Sequence, residues 1–401
     1  MIGQTFQAEW RSTIDTLNGR SLRQLTSAPA NNYPLYYFIP SHTPSGDKLV
    51  FHSERSGWVQ LYVLDLTSGC ITQLTHAQTS ESGWAIWCEA HLRGVYNHLS
   101  ALNGVRREVY YFQDNDLRCT HIDTLHNRVV HHLPGRMPIG QTAFSPDGRY
   151  FAFIHADEIQ FRGAWRDREA LRNMGQFGAW RSATGHSHES WRNAMPCVIG
   201  IIDTATGDYR EVCANRFHVH HVLWFNNHTL LLNHTQNHEG IWLIDLEGQG
   251  RAEITPLIGD IVHQIVVPDG LCYETRVFDA TQQKTENWLG RFDSATKTKR
   301  EVRLPTHGYV HTGNDPLGKF VFIEDAGQTH TLATVHGVRY TDTPDVRVIR
   351  HLPTIPSGQR YHAHPFLSPD REWLYFTELI DGFSQIMAMR VADLVAADDG
   401  W

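Results

Sequence analysis

The stretch Pro146-Asp147-Gly148-Arg149-Tyr150-Phe151-Ala152-Phe153-Ile154 reads as a tight turn running into an apolar strand. Proline presets the φ of a turn's second residue, and Asp and Gly suit the positions that follow. The same sign recurs at Pro44-Ser45-Gly46-Asp47, at Pro268-Asp269-Gly270 and at Pro369-Asp370, the last before Trp373-Leu374-Tyr375-Phe376-Thr377. A second sign is an apolar strand running into Asp and a turn. It appears as Leu64-Asp65, Ile122-Asp123, Ile202-Asp203, Ile244-Asp245, Phe292-Asp293 and Ala392-Asp393. A short outer strand often follows, as in Tyr209-Arg210-Glu211-Val212. The gap from Asp293 to Asp393 is wide enough for one degenerate copy near residues 311–351. The period is then roughly 55 residues, and the copies number seven.

Four short antiparallel strands per unit, repeated about an axis, make a β-propeller. The sequence thus predicts an all-β chain: a seven-bladed β-propeller of four-stranded antiparallel blades, one domain over residues 1–401. Closure is expected between Leu22-Arg23-Gln24-Leu25 and the last blade, Phe376 to Val391. Residues 86–107 lengthen the second blade. Residues 156–195 form a long Arg/Trp-rich loop insertion, with a helix expected from Arg166 to Met174. Arg and Trp together suit an anionic, ring-shaped ligand, and equally suit packing on a neighbouring blade.

The chain has 401 residues, with 35 Lys+Arg against 43 Asp+Glu and a net charge of −8. That balance argues against a nucleic-acid binder driven by excess positive charge. No apolar run reaches the roughly 18–20 residues of a membrane span, and the polar N-terminus carries no secretory signal. The cysteines are scattered without a CxxC pair, so neither a disulfide framework nor a thiolate zinc site is expected. A cytoplasmic protein with reduced thiols is the expectation. No GxSxG, Walker, GxGxxG or HExxH motif is present.

There are 26 histidines, and imidazole is the commonest metal ligand. In a propeller the innermost strand of each blade lines the central channel. Four consecutive blades place histidine at that strand: His220 and His221, then His263, then His311, then His362 and His364. In Gln359-Arg360-Tyr361-His362-Ala363-His364, strand geometry would put His362 and His364 on one face. His263 can meet them near the axis, and Gln359 can add an oxygen. Three imidazoles and one oxygen suit Mn, Zn, Fe or Ni better than Ca or Mg. His220 is a candidate base or ligand, and His186-x-His188 lies in the Arg/Trp loop.

The run Ser357-Gly358-Gln359-Arg360-Tyr361-His362-Ala363-His364-Pro365 resembles the Gln-x-x-His-x-His-Pro stretch of the oligogalacturonate lyases. These are cytoplasmic, metal-dependent seven-bladed propellers, typically using Mn. The resemblance covers most of the chain through TolB-like repeats. It implies a metal, most readily Mn2+, on His263, Gln359, His362 and His364. It also implies His220 as the base, and a small acidic oligosaccharide as substrate. His188 to Cys197 looks like the loop entering the fourth-strand region of the third blade. The family carries an arginine just after that point, whereas here Val198 follows Cys197. Either Arg192 or Arg216 substitutes for it, or the substrate differs; Arg216 is taken as the candidate catalytic arginine, with Arg192, His188 and His311 as substrate contacts. The implied reaction is β-elimination on a 4-linked uronate, giving a 4,5-unsaturated product. The rival readings are a non-catalytic TolB-like interaction module and a metal-dependent sugar isomerase or hydrolase.

Overall fold

Turn chemistry sets the strand ends. Asp65 Oδ1 accepts from the backbone N–H groups of Thr67 (3.0 Å) and Ser68 (2.8 Å), and Gly69 follows at φ +78°. Asp203 and Asp293 bind the N–H two residues on in the same way, each at 2.9 Å. At the other turn, Ser145 donates to Asp147 (2.6 Å) and accepts from the Tyr150 N–H (2.9 Å). These local bonds satisfy backbone donors that a bend would otherwise leave unpaired.

The computed structural model describes residues 1–15, 19–78, 93–96, 98–163, 196–217, 219–234, 240–279, 284–304, 309–315, 320–325, 332–339, 345–353 and 359–394. Their strands form seven antiparallel sheets, the blades of a β-propeller. The innermost strands are Asn32–Pro34, Ala101–Asn103, Arg136–Phe144, Val219–Asn226, Asp260–Val267, Tyr309–Asn314 and Phe366–Leu367, for blades 1 to 7 in turn. The degenerate copy is blade 6, with strands from Tyr309 to Pro353. Blades 1 and 7 each carry a fifth strand.

Closure follows the expected pairing. Ser21–Gln24 pairs with Phe383–Arg390, matching Leu22 to Met389 and Gln24 to Met387. The same N-terminal arm adds Arg11–Ile14 outside that strand and pairs Thr5–Phe6 with Ile71–Gln73 of blade 1. It therefore clasps the first and last blades together. Blade middles such as Tyr150–Asp157 are buried along nearly their whole length. Each is covered on both faces, which explains continuous apolar runs in place of alternation. The core lies between blades: Leu231, Ile261, Leu271 and Tyr273 join blades 4 and 5, and Phe322, Val335, Leu367 and Phe376 join blades 6 and 7.

Two expectations change. Cys197–Asp203 is the third strand of blade 3, paired with Tyr150–Asp157 on one side, so the run ending at Cys197 enters the third strand and not the fourth. In the 156–195 insertion, residues 158–163 are helical. The expected helix from Arg166 to Met174 lies outside the described residues, as do His186, His188 and Arg192. Among the described residues no helix is long and apolar enough to cross a membrane.

Candidate metal centre

Three inner strands share one irregularity. The pairing of the first two strands slips between Val219 and His221 in blade 4, between Ile261 and His263 in blade 5, and between Tyr309 and His311 in blade 6. Each slip is a β-bulge one residue ahead of a histidine. A bulge adds an unpaired residue and re-aims the side chain after it. Directly across the ladder stand Asn233 for His221, Glu274 for His263 and Glu324 for His311.

Glu324 anchors the centre. Fully buried, it accepts from His311 Nδ1 (3.2 Å) and His362 Nδ1 (2.8 Å), and from the His364 backbone N–H (3.4 Å). Burial pushes its carboxyl up, but the His362 and His311 imidazoles outweigh this and hold it well below the usual range. A carboxylate can only accept, so both Nδ1 atoms carry protons, and Nε2 is the lone-pair nitrogen on each ring. His311 sits centrally, with ring centroids 4.8 Å from His362, 4.3 Å from His364 and 4.9 Å from His263. Ligand atoms of His311, Glu324 and His362 all lie within 4.8 Å of one another.

The Gln359 segment departs from the expected strand. Gln359–Tyr361 is a 3-10 turn, and His364 has φ +41°. The two imidazoles still converge, at 5.9 Å between stacked centroids, while Ala363 packs into the core with Phe322 and Phe376. Gln359 Oε1 stands 3.3 Å from His364 Nε2. Gly313 lets blade 6 approach this loop, since a Cβ there would overlap the Pro365 carbonyl.

His263 forms a separate pair with Glu274, Nδ1 to Oε2 at 3.2 Å. Glu274 is fully buried, which pushes its carboxyl up to about 7 against the opposing effects of Arg276 and Thr312. Burial, with the positive charge of Arg276, holds His263 well below 6.5.

Other expected residues fall differently. His220 occupies the bulge position of blade 4, and its side chain lies outside the described atoms. The residue equivalent to His263 and His311 is His221, whose Nδ1 meets Gln264 Nε2 at 3.2 Å. Arg216 is exposed in the bend that leads into blade 4.

The floor of the site was not anticipated. Tyr36 touches the rings of His98, His221, His311 and His364, at 5.3 to 5.7 Å. Those rings come from blades 4, 6 and 7 and the entry to blade 2, so Tyr36 must lie on the axis. Its hydroxyl is 3.5 Å from His311 Nε2. Tyr37 follows, its hydroxyl bonded to the backbone of Gln264 in blade 5. His98 is fully buried, with neither ring nitrogen partnered among the described residues. The one sequence signal for the acids was a Glu at the same place in successive hairpins, in Tyr273-Glu274-Thr275 and Ile323-Glu324-Asp325.

The donor set fits a transition-metal ion. Two atoms bound roughly 2.1 Å from one ion stand about 3.0–3.4 Å apart, and Gln359 Oε1 and His364 Nε2 are so spaced. His364 Nδ1 is buried without a partner among the described residues. Imidazoles oriented by a carboxylate behind them are the usual support of such sites.

No family model and no curated protein sequence matches the chain. Solved structures do. An oligogalacturonate lyase from Vibrio parahaemolyticus aligns with TM-score 0.77 at 16% identity, over 98% of this chain and 99% of that one. An oligogalacturonate lyase in complex with manganese aligns with TM-score 0.77 at 18% identity, over 97% and 98%. Kuenenia stuttgartiensis hydrazine synthase aligns with TM-score 0.53 at 14% identity, over 90% and 96%. Over its described residues this chain displays the seven-bladed propeller fold, similar to that of the solved oligogalacturonate lyases.

Proposed function

We propose that the protein is a metal-dependent lyase that cleaves short uronate oligosaccharides by β-elimination. The observation that carries this reading is the convergence of Gln359, His311, His362 and His364 around Glu324 in the channel of this propeller. In this reading those four hold the divalent cation, with Mn2+ first in line. His311 takes the place first given to His263, and His263 takes the base role first given to His220. When bound, the cation would draw negative charge from the uronate carboxylate and so acidify the neighbouring C–H.

The protein's own groups do the rest. Glu274 accepts from His263 Nδ1, which leaves Nε2 as the lone-pair nitrogen to take the proton α to the carboxylate. The C4–O bond then breaks, its electron pair stays on the leaving sugar oxygen, and that oxygen takes a proton from water. A C4–C5 double bond remains. Arg276 lies two residues beyond Glu274 in the strand Gly270–Asp279, on the same face. In this reading it is the arginine that receives a substrate carboxylate. Tyr36 and Tyr37 supply an aromatic floor for the sugar ring and keep bulk water from below.

The test is the rise in ultraviolet absorbance of the conjugated product on digalacturonate. Chelation should abolish it and Mn2+ restore it. A metal-loaded protein inactive on every uronate disaccharide would rule the lyase out.

A further inference from the structure

The two acids of the centre do different work. Glu324 serves two histidines and a backbone N–H. Among the described histidines Glu274 serves His263 alone, and its other oxygen is held from the next blade by the Thr312 hydroxyl. Thr312 is fully buried and directly follows His311 in the inner strand of blade 6. A bond therefore crosses the blade boundary, from the residue beside one histidine to the acid behind another. Glu274 needs this partner: it is sealed from solvent, and a buried carboxyl without hydrogen bonds is costly.

We infer that Glu274 is a positioning residue, held by Thr312, which fixes the ring plane and tautomer of His263 so that Nε2 faces the substrate. The inference rests on the proposed role of His263 as base. The geometry behind it is local. His263 and Glu274 face each other across the hairpin of blade 5, with the bulge at Val262 turning the ring toward the axis. Tyr37 packs edge-on against that ring at 5.5 Å between centroids and limits its rotation. With Nδ1–H spent on Glu274, only Nε2 carries a lone pair. Thr312 donates to Oε1, which leaves Oε2 to accept from His263. The bond also sets the spacing between the base and the strand that carries His311.

Replacing the acid by its amide tests this without changing its shape. In Glu274→Gln the amide can donate to Nδ1, which drives the ring proton to Nε2 and removes the lone pair where it is needed. We expect kcat to fall on the order of 10²-fold or more, with KM and bound metal unchanged by elemental analysis. Thr312→Val should lower kcat by a smaller factor, and Thr312→Ser should restore it. A second readout does not depend on turnover. In protein labelled with ¹⁵N-histidine and loaded with diamagnetic zinc, the His263 signal, assigned by its loss in His263→Gln, should report the Nδ1–H tautomer in wild type. It should shift toward Nε2–H in Glu274→Gln. Identical tautomers in the two proteins would overturn the inference, as would wild-type kcat in Glu274→Gln. If wild type cleaves no uronate, the proposed function falls, and the tautomer shift still decides the role of Glu274.

Discussion

The described buried histidines show both a job and a cost. His311 and His362 are tied by one carboxylate, and this is how two rings from different blades keep a fixed separation. His42 shows the cost. It is buried against Tyr375 (4.5 Å between centroids) and Phe366 (5.2 Å), and its Nε2 has no partner among the described residues. Burial lowers its pKa from 6.5 to about 3, and it does the same to His52 and His155. Between those values the unfolded chain binds a proton that the folded chain refuses, so stability falls as pH drops from 6.5 toward 3. Each ring can contribute up to about 5 kcal/mol to that loss. His42→Phe, which keeps the aromatic contacts, should flatten the slope of urea stability against pH in this window and leave neutral-pH stability nearly unchanged. An unaltered slope would mean that His42 does not contribute to acid unfolding. The identity of such rings as buried was not legible in the sequence, because His42 and its neighbours Phe366 and Tyr375 are far apart along the chain.

At the scale of elements, the bulged hairpin is the unit that makes the site. Val262 and Val310 are extra residues in ladders that would otherwise run in register, and the histidine after each is turned toward the axis. A one-residue change of register moves a side chain to the opposite face of a strand. Deleting Val310 should therefore turn His311 away from Glu324 and abolish metal binding, while far-ultraviolet circular dichroism still reports a β-fold. Retained metal would place the ligand elsewhere. The strands themselves were readable, because Asp65, Asp203 and Asp293 build their turns from bonds within a few residues. The bulges were not, because nothing in Tyr309-Val310-His311 distinguishes a regular strand from a slipped one. The same blindness made His220 and His221 hard to tell apart. Glu324 was missed because its second duty, to His362, spans 38 positions of chain.

Across the whole molecule, the N-terminal arm and blade 6 meet at blade 7. Arg350 donates to Glu378 (2.8 and 3.0 Å) and pairs with Asp15 (2.8 Å), joining blade 6, blade 7 and the arm. Both carboxylates are buried, at 5% and 1% side-chain exposure, so Arg350→Ala removes the cation that both of them face. The expected cost is about 3–5 kcal/mol, seen as a lower urea midpoint. A midpoint equal to wild type would show that these charges are solvated in the closed ring. Seven units and their closure were legible because repetition is a long-range signal written in local turns. The plug formed by Tyr36 and Tyr37 was not, since its contacts are set only once the ring exists. That clasp also orders events in time. Thr26 donates to Gln385 across 359 positions of chain, so the early strands wait for the late ones. Until Phe383–Arg390 has formed, one edge of Ser21–Gln24 is unpaired and blade 7 is incomplete. Ring closure is thus a late and slow step of high contact order, and the nascent chain is most open to aggregation just before it.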